Sequence, residues 1–364
     1  MSITVSDNRI EFIDAMRGFT MLLVVFSHAL TISFKSDPVF SFNEIFLSFR
    51  MPLFFFLSGF LCYKSGKFME MKENLGFIKK KFIVQMIPTF IFITIYSVLF
   101  QQPYGEMWLH VYKGGYWFTF VLFFFFLFLV LSFSISKLFK GKCLMLLIIM
   151  GGVLVYLISL FTMHPSCPWK GSWVAGFFSI SQFKYYIYFL FGVLVKRQYE
   201  QFDAFVEKSW FIAVVIILFF VLQTISHFIT DQTHGIMWQI EGSIIKPILG
   251  FLGVTIVFSC FKKYKESFSK NTFIGRALQY IGQRTLDIYL LHFFVLPQNL
   301  QMVGDFFAKY NNPLLELMAG LVLAMLIIGF CLFISNVIRR SDVLAKLLFG
   351  KIIPSNNNYS ESQR

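Results

Sequence analysis

The sequence predicts an all-α integral membrane protein, a bundle of about ten transmembrane helices with both termini in the cytoplasm. The chain of 364 residues is 57% hydrophobic and only 14% charged, whereas roughly a quarter of the residues in a soluble domain are charged. Apolar windows of bilayer length recur along the chain. Lysine and arginine are concentrated in alternate loops.

Hydrophobic windows long enough to cross the roughly 30 Å hydrocarbon core define the expected helices. They fall near residues 12–34, 43–63, 82–101, 116–136, 143–162, 177–195, 209–228, 244–261, 282–303 and 313–336. We interpret residues 1–364 as one polytopic membrane domain, with a transmembrane core at about 12–336 and a polar cytoplasmic tail at about 337–364. The first window is long, contains Asp14 and Arg17 and lacks a small-residue cleavage pattern after it, so we expect a retained helix.

The loops after the even-numbered windows are rich in Lys and Arg, and the opposite loops contain few. Basic loops stay in the cytoplasm, which predicts a multi-pass protein of the cytoplasmic (inner) membrane. This distribution accounts for the net charge of +13 without a nucleic-acid partner. The five cysteines are scattered singly, so neither a zinc cluster nor a disulfide framework is indicated, and no metal is expected.

Two ionisable side chains, Arg17 and His28, stand eleven residues apart in the first window. At about 100° and 1.5 Å per residue they share one face of a helix, roughly 16 Å apart. Ionisable groups at membrane depth are costly, so a functional role is the default hypothesis. Asp14 can hold the Arg17 guanidinium as an i, i+3 pair, while His28 can accept a proton near physiological pH. The alternative for His28 is packing alone, through a hydrogen bond to a neighbouring helix.

Further polar side chains lie in the second, third and fourth windows. Arg50 either extends outward to the interface or lines a cavity, and Ser58 lies where close helix approach is possible. Lys80 and Lys81, at the cytoplasmic mouth of the third window, are ordinary topology signals or attract a polyanionic cofactor. Trp117 is at the start of the fourth window. Anchoring in the interfacial aromatic belt is sufficient to explain a tryptophan at this position.

The ninth window contains a second polar stripe. Thr285, Tyr289 and His292 follow the 0, 4, 7 spacing of one helix face, with His292 at about mid-membrane. Together with the stripe of the first window, this pattern predicts a cavity lined by polar groups between two helices.

These segments resemble the membrane-bound acyltransferase 3 family. The family signature is an arginine, ten residues and a histidine in the first helix, and Arg17 and His28 match it. The other matching segments follow in order over nearly the whole membrane span: Asp14 to Gly18, Pro52 to Gly59, Trp117 to Phe118, Tyr188 to Gly192 and Ile281 to His292.

The resemblance implies an acyltransferase of groups other than aminoacyl groups, an O-acetyltransferase using acetyl-CoA as donor. The implied acceptor is a hydroxyl of a cell-envelope polysaccharide or a similar glycan, and His28 and Arg17 are the implied catalytic residues. One departure concerns the Arg-x-x-Arg pattern that often precedes the helix-three proline, because Phe82 and Gln85 stand there. Lysine does not reproduce the bidentate phosphate fork of arginine.

We therefore expect acyl-CoA phosphates near Arg17, Lys80 and Lys81, and His28 as the base for the acceptor hydroxyl. Asp14 orients Arg17, and His292 or Tyr289 polarises the thioester carbonyl. The expected substrate cavity is lined by Arg50, Ser58, Trp117, Thr285, Tyr289 and His292.

Three alternatives remain open from the sequence. Transfer is either direct or through an acyl-histidine intermediate. His292 replaces His28 as main base if the chain works in the manner of membrane-bound O-acyltransferases. A transporter or exporter of a glycan or small metabolite uses the same polar stripes as a permeation path, and it predicts internal repeats and helices broken near the midplane.

Overall fold

The computed structural model describes residues 11–35, 41–63, 71–139, 143–164, 166–230 and 236–351. These residues form helices and loops without a β-strand. Nine helices of the described part are long and apolar enough to cross a membrane, by length and composition. The predicted all-α membrane bundle is confirmed.

Eighteen α-helices follow one another along the described chain. The first nine are α1 Glu11–His28, α2 Phe42–Cys62, α3 Met71–Lys81, α4 Ile87–Leu99, α5 Tyr104–Leu109, α6 Trp117–Leu138, α7 Leu144–Met163, α8 Trp173–Phe178 and α9 Tyr186–Arg197. The others are α10 Tyr199–Val206, α11 Ser209–Thr230, α12 Ile236–Ile240, α13 Lys246–Lys263, α14 Phe273–Gln283, α15 Thr285–Val295, α16 Gln301–Tyr310, α17 Pro313–Ile338 and α18 Asp342–Phe349. Short π-helical or 3-10 segments join several of them without a break, for example Ala29–Phe34 after α1.

Several predicted windows have different bounds in the structure. In the sixth, expected at 177–195, α9 begins only at Tyr186, after Ser179 with a φ of 53° and the 3-10 segment Ile180–Tyr185. The third, expected at 82–101, is the end of a longer helical run that begins with α3 and continues into α4. Residues 71–81 carry too many charges for a hydropathy window, although Met, Lys, Glu and Leu favour helix.

The ninth predicted window, 282–303, is a broken segment and not one crossing helix. α14 and α15 meet at Arg284, whose φ of −114° and ψ of 16° are not helical. α15 ends at Val295, two residues before Pro297. Proline disfavours helical geometry in the residue that precedes it, so the helix stops here. The second polar stripe therefore lies on a helix of only 11 residues.

Backbone contact between α1 and α14 fixes the position of the first helix. A Cβ atom on Gly18 would lie 1.9 Å from the Leu278 carbonyl oxygen, and one on Gly282 would lie 1.9 Å from the Asp14 oxygen. Only glycine allows this approach, as small residues do at helix contacts in membranes. The contact brings the start of α15 beside Arg17.

The same kind of contact joins α2 to α9. A Cβ atom on Gly59 would lie 1.9 Å from the Phe189 carbonyl oxygen, and one on Gly192 would lie 2.0 Å from that of Phe56. Around these helices the core is built mainly of aromatic side chains, such as Phe55. The glycines of the matched sequence segments thus have a packing role.

Replacing Gly18 by alanine is expected to lower the melting temperature of the detergent-solubilised protein by several degrees. The added methyl must separate α1 from α14, and overpacking of this kind costs about 1–3 kcal/mol. Gly329→Ala in α17 is the matched control, because a Cβ atom there meets no atom within 4 Å. Equal melting temperatures for the two variants in a fluorescence unfolding assay would contradict the assigned contact.

The segment predicted as a polar tail, 337–364, contains the end of α17 and the helix α18, which packs against α4. Phe349 is buried, and its ring centroid lies 6.3 Å from that of Phe92. The Arg339 guanidinium lies 5.2 Å from the centroid of the Phe349 ring. The remainder of the predicted tail, 352–364, lies outside the described residues.

Candidate active site

Arg17 lies where α1 meets α15, at the end of the bundle predicted to be cytoplasmic. Its guanidinium is 3.4 Å from the Asp14 carboxylate and donates a hydrogen bond of 3.0 Å to the Thr285 hydroxyl. The side chain keeps 27% of its surface exposed. Arg17 is therefore held at a fixed position while part of its side chain stays exposed.

Lys81 lies near Arg17, and Lys80 does not share its environment. The Lys81 ammonium group is 4.2 Å from the centroid of the Phe126 ring and within electrostatic range of Arg17. The Lys80 side chain is exposed. Of the two predicted donor-binding lysines, Lys81 is therefore the partly buried one, and it lies within electrostatic range of Arg17. Both cations are at the same end of the bundle.

The two positions that depart from the family pattern, Phe82 and Gln85, differ from each other in the structure. Phe82 is exposed, whereas Gln85 is partly buried. The Gln85 side-chain oxygen is enclosed and has no hydrogen-bond partner in the described part of the chain. An enclosed, unpaired carbonyl oxygen is costly, which makes Gln85 a candidate contact for a ligand.

His28 and His292 form a pair in the interior. Their ring centroids are 5.3 Å apart with an interplanar angle of 84°, and Phe293 packs 5.1 Å from His28. His292 is fully buried, whereas His28 is half-buried. The helix break and the α1–α14 contact bring these two histidines, more than 260 residues apart in sequence, into one site.

Hydrogen bonding fixes the tautomer of His292. Its Nδ1 atom lies 2.7 Å from the Tyr289 carbonyl oxygen and 3.1 Å from that of Ile288. Carbonyl oxygens only accept hydrogen bonds, so Nδ1 carries the proton and Nε2 of the neutral ring is the acceptor. Within the described residues, His292 Nε2 and His28 Nδ1 are enclosed and without a hydrogen-bond partner. The Nε2 atom of the neutral His292 ring carries a lone pair, which can accept a hydrogen bond or a proton.

Arg50 faces the two histidines. Its Nη1 atom donates a 3.3 Å hydrogen bond to the Val24 carbonyl of α1, and its charge acts on both His28 and His292. Its Nε atom is enclosed and has no partner among the described residues. The side chain is thus directed inward, and its Nε–H group can donate a further hydrogen bond.

The remaining predicted cavity residues have mainly structural contacts. The Tyr289 hydroxyl donates to the Gly115 carbonyl at 2.9 Å and accepts from the Phe118 amide at 3.2 Å. The Ser58 hydroxyl donates to the Phe54 carbonyl of its own helix at 2.9 Å. The Tyr289 hydroxyl is therefore fully engaged in joining α15 to the start of α6.

Trp117 is half-buried and belongs to an aromatic cluster. Its ring centroid is 5.7 Å from that of Tyr185 at an interplanar angle of 28°, and Phe55 lies 6.1 Å away. Tyr185 is also within electrostatic range of Arg50. The cluster places Trp117 beside the polar site, next to α2 and the segment before α9.

Lys113 holds the loops at the opposite end, outside the membrane-spanning segments. It is fully buried and donates to the carbonyl oxygens of Trp108 and Gly176 at 2.9 and 3.0 Å. Burial lowers the pKa of Lys113 to about 7. The loop positions Gly115, and through it Tyr289.

Sequence reasoning missed a charged cluster between α15 and α17. The Asp287 carboxylate accepts two hydrogen bonds of 2.7 Å from Arg339 and one of 2.5 Å from Ser335. Bidentate pairing of this type is strong and directional. A carboxylate inside the apolar ninth window was the available signal, but its partner is 52 residues away. The cluster fixes α15, and with it Thr285 and His292, against α17.

The described chain contains three π-helical segments. They are Ala29–Phe34, directly after His28, Phe82–Met86, directly after Lys81, and Glu241–Ile245. Such segments are rare and frequently occur at functional sites. Two of the three directly follow candidate site residues.

The site combines two chemical capacities along α1. One end has Arg17 and Lys81 as cations for an anionic ligand, and the interior has two imidazoles and an arginine. Imidazole nitrogens accept protons, and an arginine stabilises a developing oxyanion.

A family model described as an acyltransferase domain, that of the acyltransferase 3 family, matches residues 10–335. Searches of curated proteins and of solved structures found no significant match. The match covers most of the chain and both candidate stripes. The chain therefore belongs to the acyltransferase 3 family and is a multi-pass membrane acyltransferase.

Proposed function

We propose that this acyltransferase moves an acyl group, acetyl by preference, from acyl-CoA in the cytoplasm to a hydroxyl of an envelope polysaccharide or other glycan. It would act in the cytoplasmic (inner) membrane. The observation that carries the proposal is that Arg17 and His28 lie on one face of α1. Arg17 supplies the cationic end of this face, and His28 pairs with His292 at the other end.

The donor is placed with its phosphates at the cationic end. The Arg17 side chain is partly exposed, Lys81 adds a second charge within electrostatic range, and Lys80 is exposed at the mouth. The roughly 16 Å rise from Arg17 to His28 along the helix is a suitable reach for the pantetheine arm. Asp14 and Thr285 keep Arg17 in position.

His28 acts as the base for the acceptor. The acceptor hydroxyl gives its proton to the imidazole as its oxygen attacks the thioester carbonyl carbon. The new C–O bond forms, the C–S bond breaks, and the proton passes from His28 to the departing thiolate of CoA. A positioned base of this kind contributes about 10²–10⁴-fold.

Arg50 is the candidate stabiliser of the oxyanion. It is enclosed beside both histidines and has an unpaired Nε donor in the described structure. A preorganised donor in a site of low polarity has a large effect on developing charge. Tyr289 is less suited to this role, because its hydroxyl already donates to Gly115. His292, with its proton on Nδ1, positions His28.

The proposal is tested first by donor binding. CoA and acetyl-CoA are expected to raise the melting temperature of the purified protein, whereas pantetheine, which lacks the phosphates, raises it less. Equal effects of CoA and pantetheine would contradict the phosphate site.

The transfer itself is tested in cells with and without the gene. Mass spectrometry of envelope glycans is expected to show acyl groups, 42 Da for acetyl, that depend on the gene. Unchanged glycans together with no stabilisation by acetyl-CoA would overturn the proposed function.

A further inference from the structure

A cavity of about 670 Å³ is lined in part by α2, and His28 is not among its lining residues. Its walls come from the start of α2, the end of α7, the segment before α9, the end of α11 and the π-helical segment Glu241–Ile245. These helix ends belong to the end of the bundle opposite Arg17. The volume is within the usual range of small-molecule sites, roughly 300–1,000 Å³.

The charges in this cavity are unevenly paired. Glu241 is 2.9 Å from the Lys246 ammonium group, and Glu44 is 3.0 Å from His227. Lys184 also lines the cavity. Its ammonium group lies 5.4 Å from the centroid of the Tyr185 ring, and in the described part of the chain it has no carboxylate partner. Its charge is within electrostatic range of Lys246. An unpaired charge in a recessed site is costly, and an anionic ligand group would remove that cost.

Part of the cavity lining is apolar and exposed. Leu47, Phe161, Met163 and Trp238 line it with 41–54% of their surface exposed. α7 and α11, which supply two of its walls, are long and apolar enough to cross a membrane. Exposed apolar side chains in a cavity that also contains charged groups fit a ligand with a polar headgroup and a hydrocarbon chain.

Tyr185 connects this cavity to the candidate active site. It lines the cavity, stacks on Trp117 and is within electrostatic range of Arg50. Tyr185 and Tyr188 also offer aromatic surface inside the cavity, against which the apolar face of a sugar ring can pack. A headgroup bound here would lie next to the catalytic cluster.

We propose that this cavity binds the phosphate-bearing headgroup of a membrane lipid, with Lys184 as the main phosphate contact. This inference rests on the proposed function: the acceptor sugar is attached to this lipid, and its hydroxyl reaches the catalytic cluster by way of Tyr185. Two kinds of membrane lipid carry a phosphate-bearing headgroup, a polyprenyl phosphate and a glycerophospholipid, and the experiment distinguishes between them.

The test measures thermal stabilisation of the detergent-purified protein by added lipids. The probes are a polyprenyl phosphate and phosphatidylglycerol, each compared with its phosphate-free counterpart, polyprenol and diacylglycerol. We expect stabilisation by at least one phosphate lipid and none by its counterpart, and the active phosphate lipid identifies the source. Equal effects of a phosphate lipid and its counterpart would overturn the proposal.

Variants locate the binding site. Lys184→Met is expected to raise the half-saturating lipid concentration at least tenfold, and Lys184→Arg, which keeps the charge, is expected to stay near the wild type. Lys170→Met, at an exposed lysine of the same end, is the matched control. Wild-type lipid binding by Lys184→Met would overturn the proposal. Lipid binding is measured without an acyl donor, and stabilisation by acetyl-CoA is measured separately. Stabilisation by acetyl-CoA together with an absence of lipid binding would overturn this inference and leave the proposed function standing.

Discussion

Replacing His28 by alanine is expected to lower kcat for acyl transfer by about 10²–10⁴-fold, the usual contribution of a positioned general base. The donor should still bind, since Arg17 and Lys81 lie at the other end of the stripe. The measurement is the rate of acetyl transfer in purified membranes, normalised to the amount of protein. Donor binding is followed in parallel by stabilisation with acetyl-CoA.

Two other histidine variants make this prediction specific. His110→Ala is the control, because His110 lies in an exposed loop, where its Nδ1 atom accepts a hydrogen bond from the Tyr112 amide. His292→Ala should reduce the rate less than His28→Ala, as expected for a positioning residue. Full activity of His28→Ala at normal protein levels would refute its role, and a greater loss in His292→Ala would assign the base to His292.

Replacing Arg17 by alanine is expected to raise KM for acyl-CoA about 10–100-fold with a smaller change in kcat. Hydrogen bonds to charged groups contribute about 1.5–3 kcal/mol, and an interaction made equally in the ground and transition states appears in KM. Arg17→Lys should recover only part of the affinity, because lysine does not form the bidentate contact. Steady-state kinetics with varied acetyl-CoA measure both parameters.

A shortened donor separates phosphate binding from a structural role of Arg17. Acetyl-pantetheine lacks the phosphates, so its KM should hardly change in Arg17→Ala if Arg17 binds phosphate. A parallel rise in KM for both donors would show that the loss comes from disturbed packing. Thr285→Val is the matched control. It removes the 3.0 Å hydrogen bond that Arg17 donates to the Thr285 hydroxyl, but it keeps the Arg17 guanidinium.

Much of the fold was predictable because hydropathy and charge are local properties of the chain. The second window, predicted at 43–63, coincides with α2 at Phe42–Cys62. The broken ninth segment was predicted less well, because a hydropathy window does not register the non-helical geometry of Arg284 or the stop before Pro297. Two helices lie outside the windows for different reasons: α3 carries too many charges, and α18, with eight residues, is too short for a window of bilayer length.

The candidate site was predictable as two stripes but not as one site. Helix periodicity places Arg17 and His28 on one face, and Thr285 and His292 on another. Their meeting depends on the backbone contact between Gly18 and Gly282, which is not a property of either segment alone.

By itself, the sequence determined the membrane class, the predicted orientation, the polar faces and the likeness to an acyltransferase family. These features depend on composition and on periods of a few residues. Only the tertiary structure decided which polar groups have partners. It pairs Asp287 with Arg339, engages the Tyr289 hydroxyl, and leaves His28, His292 and Arg50 with unpaired nitrogens in the described interior. The reason is physical: a hydrogen bond depends on distance and direction in space, and its two partners are often far apart along the chain.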